Sequence, residues 1–286
     1  MMQPNSWSRT ALRVAIRRAR HQVLDRPLIL DDPWAIRILP ADAAAEIGPD
    51  TPHDARPYDR ALRLFIAVRS RFAEDEFAAA AARGVRQYVA LGAGLDTFAW
   101  RNPHLSAGVQ VFDVDHPATQ AWKRERIAEA GLPSPPATVY VPVDFERESL
   151  ADKLASAGFR TGIPAFFSWL GVVPYLTLAG FRHTLQFFSS LPAGSGAVFD
   201  YPLPRDAVDE SSRAAFDHLS ARVASIGEPF QLAFTPDELA SEFACIGWHV
   251  AMDLDTAAIR KRFFPGIERE GASRGGMARL ASARRG

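Results

Sequence analysis

A short turn carries the residues most suited to chemistry: Gly92, Ala93, Gly94 and Asp96 follow an apolar run at residues 88–91. Glycine has no Cβ, so Gly92 and Gly94 let the backbone approach a ligand closely and adopt unusual dihedral angles. The pattern predicts a strand that delivers the chain to a nucleotide-cofactor site. An ordinary tight turn between a strand and a helix is the alternative.

The cofactor expected here is not a dinucleotide. A dinucleotide fingerprint needs a third glycine three residues after the second, and this chain has Thr97 there. A turn with two glycines followed by Asp96 suits a ligand that lacks a pyrophosphate and carries an ammonium group. S-adenosylmethionine (SAM) is the common ligand of that kind.

Two acids end a second predicted strand about 20 residues further on, the spacing at which a carboxylate binds ribose hydroxyls. Asp113 and Asp115 alternate with a valine, so both side chains point to one face of the strand and both are candidates. His116 lies beside them and is retained as a candidate catalytic residue. Pro117 would also suit a helix start, which makes turn or cap residues the alternative interpretation.

A third predicted strand, residues 138–143, ends at Asp144 and Phe145. The acid could bind the adenine amino group while the ring packs on the base. A helix cap is again the alternative. We favour the adenine site because three successive strands end in polar residues on one rim.

Strands and helices alternate from residue 87 to residue 200, which predicts right-handed crossovers and a parallel sheet. We expect one domain over 1–286, with a helical cover at 1–84, a cofactor-binding core at 85–200, a helical lid at 201–230 and a sheet-completing segment at 231–286. Within that last segment, residues 248–254 and 277–282 are strand candidates that would add an antiparallel edge.

The strings VALGAGLDTFAWR, FDVDHPATQAWKRERI, VPVDF, FFSWLGVVPYLT and FDYPLP together resemble bacterial SAM-dependent methyltransferases related to leucine carboxyl methyltransferase. That group includes polyketide carboxyl O-methyltransferases of the tetracenomycin type. The resemblance covers nearly the whole chain. It implies a class I methyltransferase fold: a Rossmann-like α/β domain with a seven-stranded, mostly parallel sheet and helical additions over the substrate.

The resemblance also implies an arginine on an N-terminal helix that holds the methionine carboxylate of SAM. Apolar residues recur at helical spacing across residues 60–77, and Arg69 lies within their stripe, whereas Arg71 lies on the opposite face. An arginine that faces the core needs an anionic partner, because an unpaired buried charge is costly. Arg69 is therefore the predicted carboxylate clamp, with an internal salt bridge to Asp96 or another acid as the alternative.

The segment Ser168, Trp169 and Leu170 is assigned to the cofactor site through the same resemblance. Eukaryotic relatives carry a glutamate where this chain has Leu170. The departure argues against transferring their protein-phosphatase substrate to this chain.

Methyl transfer from a sulfonium is an in-line displacement, which needs no strong base when the acceptor is a carboxylate. The seven histidines show no metal-ligand or triad spacing, so we expect no metal site and favour carboxyl methylation over a phenolic hydroxyl. Tyr201 is the predicted substrate-facing residue, with a packing role as the alternative. An aromatic pocket is expected to take a hydrophobic natural product such as a polyketide, and its candidate lining is Trp7, Phe199, Tyr201, Pro202 and Phe216.

Two other functions remain open: a SAM-binding or interaction module without catalysis, and a nicotinamide-dependent oxidoreductase, which the missing third glycine argues against. The formal net charge is zero, which gives no indication of a nucleic-acid partner. No apolar run is long enough to span a bilayer and no signal-peptide pattern is present, so we expect a cytoplasmic protein without a membrane partner. The single cysteine, Cys245, is expected to be buried in a helix, and aromatic residues in the lid leave a homodimer open.

Overall fold

The computed structural model describes residues 7–48, 57–145, 147–266 and 276–286. Within these ranges the helices are α1 Arg9–Leu24, α2 Ala41–Ala45, α3 Pro57–Ala82, α4 Phe98–Arg101, α5 Pro117–Glu129, α6 Leu150–Ser156, α7 Leu178–Ser189, α8 Glu210–Ala224, α9 Pro236–Ala244 and α10 Thr256–Phe263. The strands are β1 Gln87–Leu91, β2 Gln110–Asp115, β3 Thr138–Pro142, β4 Ala165–Trp169, β5 Gly196–Pro202, β6 Trp248–Leu254 and β7 Ala278–Arg285.

The strands form one seven-stranded sheet in the order β3-β2-β1-β4-β5-β7-β6. The first five are parallel, and β7 runs antiparallel to both β5 and β6. The expected α/β fold with a mostly parallel sheet is thus confirmed. The order of the strands reverses beside β1, so the carboxyl ends of β1 and β4 border the crevice in which such sheets bind ligands.

Both faces of the sheet are covered by helices, because side chains alternate along each strand. Val89 and Leu91 of β1 lie in the cluster that includes the aromatic side chains of α7 and α9. Tyr88 and Ala90 pack on the other face, against the apolar stripe of α3. The helical pattern across residues 60–77 therefore correctly predicted a core-facing helix.

A third apolar cluster attaches the N-terminal helix to the cofactor turn. Ala15 and Ala19 of α1 pack with Leu95, just after the glycines, and with Trp122 of α5. Trp7 stacks on Trp122 with ring centroids 4.3 Å apart. Helix α1 therefore lies over the turn at the carboxyl end of β1.

The C-terminal third follows the expected pattern, with one correction. Helix α9 begins at a capping box in which Thr235 and Glu238 satisfy each other's backbone N–H groups. Cys245 directly follows α9 and is exposed, so the prediction of a buried cysteine was wrong: the apolar stripe of α9 ends at Phe243, which is buried. Among the described helices, none combines the length and apolarity that crossing a bilayer requires.

Candidate functional site

A cavity of about 530 Å³ opens at the carboxyl ends of β1, β2 and β4 and is roofed by α1. Its volume lies within the range of small-molecule sites. Three groups of residues line it. The strand ends and their loops contribute Ala90–Asp96, Asp115, His116, Asp144, Phe145, Arg147, Ser168, Leu170, Gly171 and Val172, and the helical cover contributes Ser8, Thr10, Ala11, Val14, Ala15, Arg18, Arg69 and Ser70. The third group, called the lid side below, comes from the segments that precede α7 and follow α8: Tyr175, Leu176, Gly227, Glu228, Pro229 and Gln231.

The glycine turn forms the floor of this cavity. Gly92 and Gly94 have φ values of +65° and +50°, a region that side-chain-bearing residues rarely adopt. A Cβ on Gly92 would collide with the side chain of Val172, and a Cβ on Gly94 would lie 3.1 Å from that of Ala11. The backbone conformation and the lack of room for a Cβ thus both explain why glycine is required at these two positions.

The two acids of β2 have different surroundings in the structure. Asp115 lines the cavity and accepts hydrogen bonds from the backbone N–H groups of Gly94, at 2.5 Å, and His116, at 2.6 Å. Burial raises the pKa of Asp115 to about 6, although the hydrogen bonds from both N–H groups lower it. Asp115 is the ribose candidate that reaches the cavity.

Asp113 does not line the cavity, which corrects its assignment to the cofactor site. It is buried and pairs with Lys123 of α5, with Nζ 2.5 Å from Oδ2. Strand alternation correctly predicted that Asp113 and Asp115 lie on the same face of β2. It could not show that a lysine ten residues along the chain binds the first acid, since that contact depends on how α5 packs.

Asp144 and Phe145 both line the cavity at the carboxyl end of β3, as the adenine site requires. His116 lies between this region and Asp115, but its Nδ1 accepts a hydrogen bond of 3.3 Å from the backbone N–H of Ala118. It therefore caps the N-terminus of α5. The cap engages Nδ1 of a ring that also lines the cavity.

Arg69 faces the cavity and also has an internal partner. Its Nη1 lies 3.0 Å from Oδ2 of Asp200 on β5, and both side chains are largely buried. Arg71 lies on the exposed face of α3 and pairs with Asp75. Both interpretations of Arg69 thus have support: it forms a salt bridge and borders the cavity, and a guanidinium has enough N–H groups for both.

Arg18 of α1 was missed from the sequence. It lines the cavity, is buried, and binds Oδ2 of Asp96 at 3.1 Å and Oδ2 of Asp32 at 2.5 Å. Asp96 also accepts a hydrogen bond from the backbone N–H of Phe98. The expected acid of the glycine turn is therefore already paired with a cation. A charged residue on the apolar side of α1 was the signal that could have identified Arg18.

In the segment after β4, Ser168 and Leu170 line the cavity and Trp169 does not. Trp169 is buried on the opposite face of the sheet and stacks on Phe181, with ring centroids 5.4 Å apart. Its assignment to the cofactor site is therefore corrected. The period of two along a strand, applied to β4, would have predicted this outcome.

The aromatic residues expected to line the acceptor pocket lie elsewhere. Tyr201 is fully buried, and its hydroxyl donates a hydrogen bond of 2.7 Å to Asp253 of β6, so its proposed catalytic role is corrected. Phe199 is also buried, in the aromatic cluster of the sheet. Trp7, Phe199, Pro202 and Phe216 are absent from the described lining. Tyr175 and Glu228 line the cavity instead, and neither was identified from the sequence.

The family model for leucine carboxyl methyltransferase matches residues 11–189, from α1 to the end of α7. This range contains the glycine turn, Asp115, Asp144, Arg69 and the segment after β4. The chain belongs to the leucine carboxyl methyltransferase family. The family resemblance noted from the sequence motifs is thus confirmed.

Among curated relatives of this family member, the Bacillus subtilis protein named "Putative S-adenosyl-L-methionine-dependent methyltransferase YktD" is 31% identical over 92% of this chain and 93% of its own length. A relative from Mycolicibacterium paratuberculosis with the same description is 34% identical over 71% of this chain and 66% of its own length. SAM, the cofactor expected from the glycine turn, is thus the one these relatives are named for.

Solved structures show the same fold. A DUF574 family protein from Streptomyces avermitilis superposes with a TM-score of 0.57 at 19% identity, covering 94% of this chain and all of that one. A Thermobifida fusca structure described as that of a "putative methyltransferase" gives a TM-score of 0.55 at 18% identity, covering 81% of this chain and 90% of that one. The class I methyltransferase architecture is therefore established for this family member.

Proposed function

We propose that this methyltransferase transfers the methyl group of SAM to an oxygen of a hydrophobic small molecule, and that this oxygen belongs to a carboxylate. The observation that carries the proposal is that one cavity contains the residues that fit SAM and a second, lid-side wall whose described carboxylate, Glu228, is already bound to Ser8 and Arg9. That second wall includes Tyr175, Leu176 and Pro229.

The residues at the strand ends fit the parts of SAM. Asp115 would accept the ribose hydroxyls, while Asp144 and Phe145 would bind the adenine. The positive φ of Gly92 brings the backbone against the cavity, and a Cβ there would meet Val172. Arg69 would bind the methionine carboxylate, with Asp200 fixing its guanidinium.

Bound SAM supplies an electrophilic methyl group on a sulfonium. The protein must then align an oxygen with that methyl group and exclude water from the cavity. Several titratable side chains of the described lining are already engaged: Asp96 pairs with Arg18, His116 caps α5 through Nδ1, and Asp115 accepts two backbone N–H groups. An acceptor that is ionised before it binds needs no proton transfer, which favours a carboxylate.

One observation favours a hydroxyl acceptor as the second candidate. Glu228 lines the cavity from the lid side, and its carboxylate accepts hydrogen bonds from the Arg9 backbone N–H, at 3.2 Å, and the Ser8 hydroxyl, at 3.4 Å. A carboxylate held in this way could remove a phenolic proton. Glu228→Gln would then abolish transfer, whereas methylation of a carboxylate would continue.

The test begins with isothermal titration of S-adenosylhomocysteine (SAH), the demethylated product. Micromolar binding supports the cofactor site, and absence of binding contradicts it. Transfer from SAM with a labelled methyl group is then measured on matched panels of hydrophobic carboxylic acids and phenols. Methyl esters release labelled methanol in mild alkali, whereas methyl ethers do not, so the product identifies the acceptor atom. Binding without transfer to any acceptor would favour the non-catalytic module.

A further inference from the structure

Helices α1 and α8 approach each other at the start of α3, where Asp59 pairs with Arg17 of α1 and Tyr58 makes an edge-to-face ring contact with His218, four residues before Arg222 on α8. Three guanidinium groups therefore lie in one region. Arg13 and Arg17 are one helical turn apart on α1, so their side chains lie on the same side of that helix. Arg222 belongs to the last turn of α8. Burial lowers the pKa of both Arg13 and Arg17, and the charge of Arg222 is the next largest cause for each. Arg13, Arg17 and Arg222 are called the arginine cluster below.

The arginine cluster adjoins the lid-side wall of the cavity. Arg13 interacts electrostatically with Glu228 and Tyr175, which both line the cavity. Its neighbours on α1, Val14 and Thr10, line the cavity as well. The cluster therefore lies next to the lid-side wall, although none of its three arginines is in the described lining.

Positive charge is in excess around the arginine cluster, although the chain as a whole has a formal net charge of zero. Arg9 adds a fourth guanidinium close to Arg13. Among the described residues, the carboxylates that oppose these charges are Glu228 and Asp59, whose Oδ1 lies 3.7 Å from Nη2 of Arg17. Glu228 is already bound to Ser8 and Arg9. Like charges held together across two helices raise the free energy of the empty protein.

Two polar atoms beside the cluster are buried without a hydrogen-bond partner among the described residues. One is Nη1 of Arg13 and the other is the hydroxyl oxygen of Tyr58 at the start of α3. Burial raises the pKa of Tyr58 to about 12, so its hydroxyl keeps its proton and can donate. Buried donors without a partner are rare in proteins, and a bound anion would satisfy both of these.

We propose that the arginine cluster binds an oxyanion of the acceptor at a distance from the oxygen that is methylated. Guanidinium groups bind carboxylate or phosphate oxygens in pairs, and they do so more strongly when partly desolvated. The proposal rests on the proposed function and extends it: the acceptor is an elongated hydrophobic molecule with one acidic group at the methyl donor and another under the lid.

The first experiment compares two series of probes on SAH-saturated protein by isothermal titration: unbranched dicarboxylic acids of increasing length, and the monocarboxylic acids of the same lengths. At one length or more the diacid should bind at least about tenfold more tightly, the effect of an added charge-assisted hydrogen bond. Arg13→Gln and Arg222→Gln should abolish that preference. Arg260→Gln, which removes an exposed arginine of α10 outside the described cavity lining, should retain it.

A second experiment titrates inorganic phosphate into the protein without SAH. Phosphate should bind to the wild-type protein and about tenfold more weakly to Arg222→Gln. Because no cofactor is needed, this result stands even if SAH fails to bind, an outcome that would reject the proposed function alone.

Three results would overturn the proposal. The first is equal affinity of diacids and monoacids at every length. The second is a diacid preference that survives in both arginine variants. The third is phosphate binding that depends on the arginines while no diacid preference exists, because the cluster would then hold a free anion and not part of the acceptor.

Discussion

Nη1 of Arg69 lies 3.0 Å from Oδ2 of Asp200, whose other oxygen accepts a hydrogen bond of 2.6 Å from the backbone N–H of Gly171. One carboxylate thus connects α3, the end of β5 and the loop after β4. Gly171 has a φ of +70°, and a Cβ there would lie 2.7 Å from Nη2 of Arg69. The guanidinium is held on two sides, so its orientation toward the cavity is fixed before a ligand binds.

Arg69→Ala should weaken SAH binding by about ten- to a hundredfold, the effect of losing a hydrogen bond to a charged group. Arg71→Ala should leave the affinity unchanged, because Arg71 lies on the exposed face of α3 and pairs with Asp75. Isothermal titration of the two variants measures the difference, and equal affinities would contradict the carboxylate clamp.

Loss of Arg69 also leaves Asp200 buried without its cation, which destabilises a protein by several kcal/mol as a rule. The double variant Arg69→Ala/Asp200→Asn should recover part of this thermal stability and none of the SAH affinity. Recovery of the affinity would mean that Arg69 acts only by neutralising Asp200.

Gly92→Ala should abolish SAH binding, because the new Cβ collides with Val172 in a backbone conformation that alanine adopts at a cost of about 1–3 kcal/mol. Gly108→Ala is the matched control: its φ is +79°, and a Cβ there meets nothing within 4 Å. Both variants should lose stability in thermal unfolding because of the backbone strain, and Gly92→Ala should lose more because of the collision. Only Gly92→Ala should lose affinity, and Gly92→Ala/Val172→Ala should restore part of it.

SAH affinity should fall as the pH decreases through about 6, the raised pKa of Asp115. Above that pH the ionised carboxylate accepts hydrogen bonds from the ribose hydroxyls, and below it the protonated group accepts them poorly. Isothermal titration across this range measures the effect. Asp115→Asn should bind weakly with a flat pH dependence; an unchanged pH profile in this variant would assign the titration to another group.

Asp115 should have the opposite effect on folding. Its pKa is raised above 3.8 in the folded protein, so its contribution to the free energy of unfolding is fully present below pH 3.8 and is lost as the pH rises through about 6. Without ligand, the stability of the wild type should therefore fall relative to that of Asp115→Asn as the pH rises through about 6. Chemical denaturation at two pH values tests the sign.

Tyr201→Phe should leave SAH affinity and methyl transfer unchanged. Its hydroxyl binds Asp253 outside the cavity, so the variant should lose only about 1 kcal/mol of stability. Tyr175→Phe removes a hydroxyl from the cavity wall and should alter acceptor turnover without changing the fold. A loss of activity in Tyr201→Phe at full stability would return that residue to the list of catalytic candidates.

The sheet and the face of α3 could be predicted from sequence because both depend on local periodicity. The alternation of predicted strands and helices indicated the parallel sheet, and the helical period placed Arg69 on the core-facing side of α3 and Arg71 on the opposite side. The same local reasoning could not distinguish Asp113 from Asp115, since the difference is made by Lys123 on the helix that packs over β2. Nor could it show that Asp253 binds the hydroxyl of Tyr201, because β6 and β5 are separated by β7 in the sheet.

The residues missed altogether come from segments whose position depends on tertiary packing. Arg18 reaches the glycine turn because α1 docks on Leu95 and Trp122. Glu228 reaches the cavity because the chain after α8 returns to the start of α1, where Ser8 and Arg9 bind it. No spacing within either segment indicates these contacts.

The attachment of α1 has a practical consequence for anyone who purifies this protein. Ser8 both lines the cavity and binds Thr119 and Glu228, so the N-terminal end of α1 is part of the cavity wall. An affinity tag fused to the first residue would lie only a few residues from the site. Tagging the C-terminal side of β7, at the opposite end of the chain, is the choice that leaves ligand exchange undisturbed.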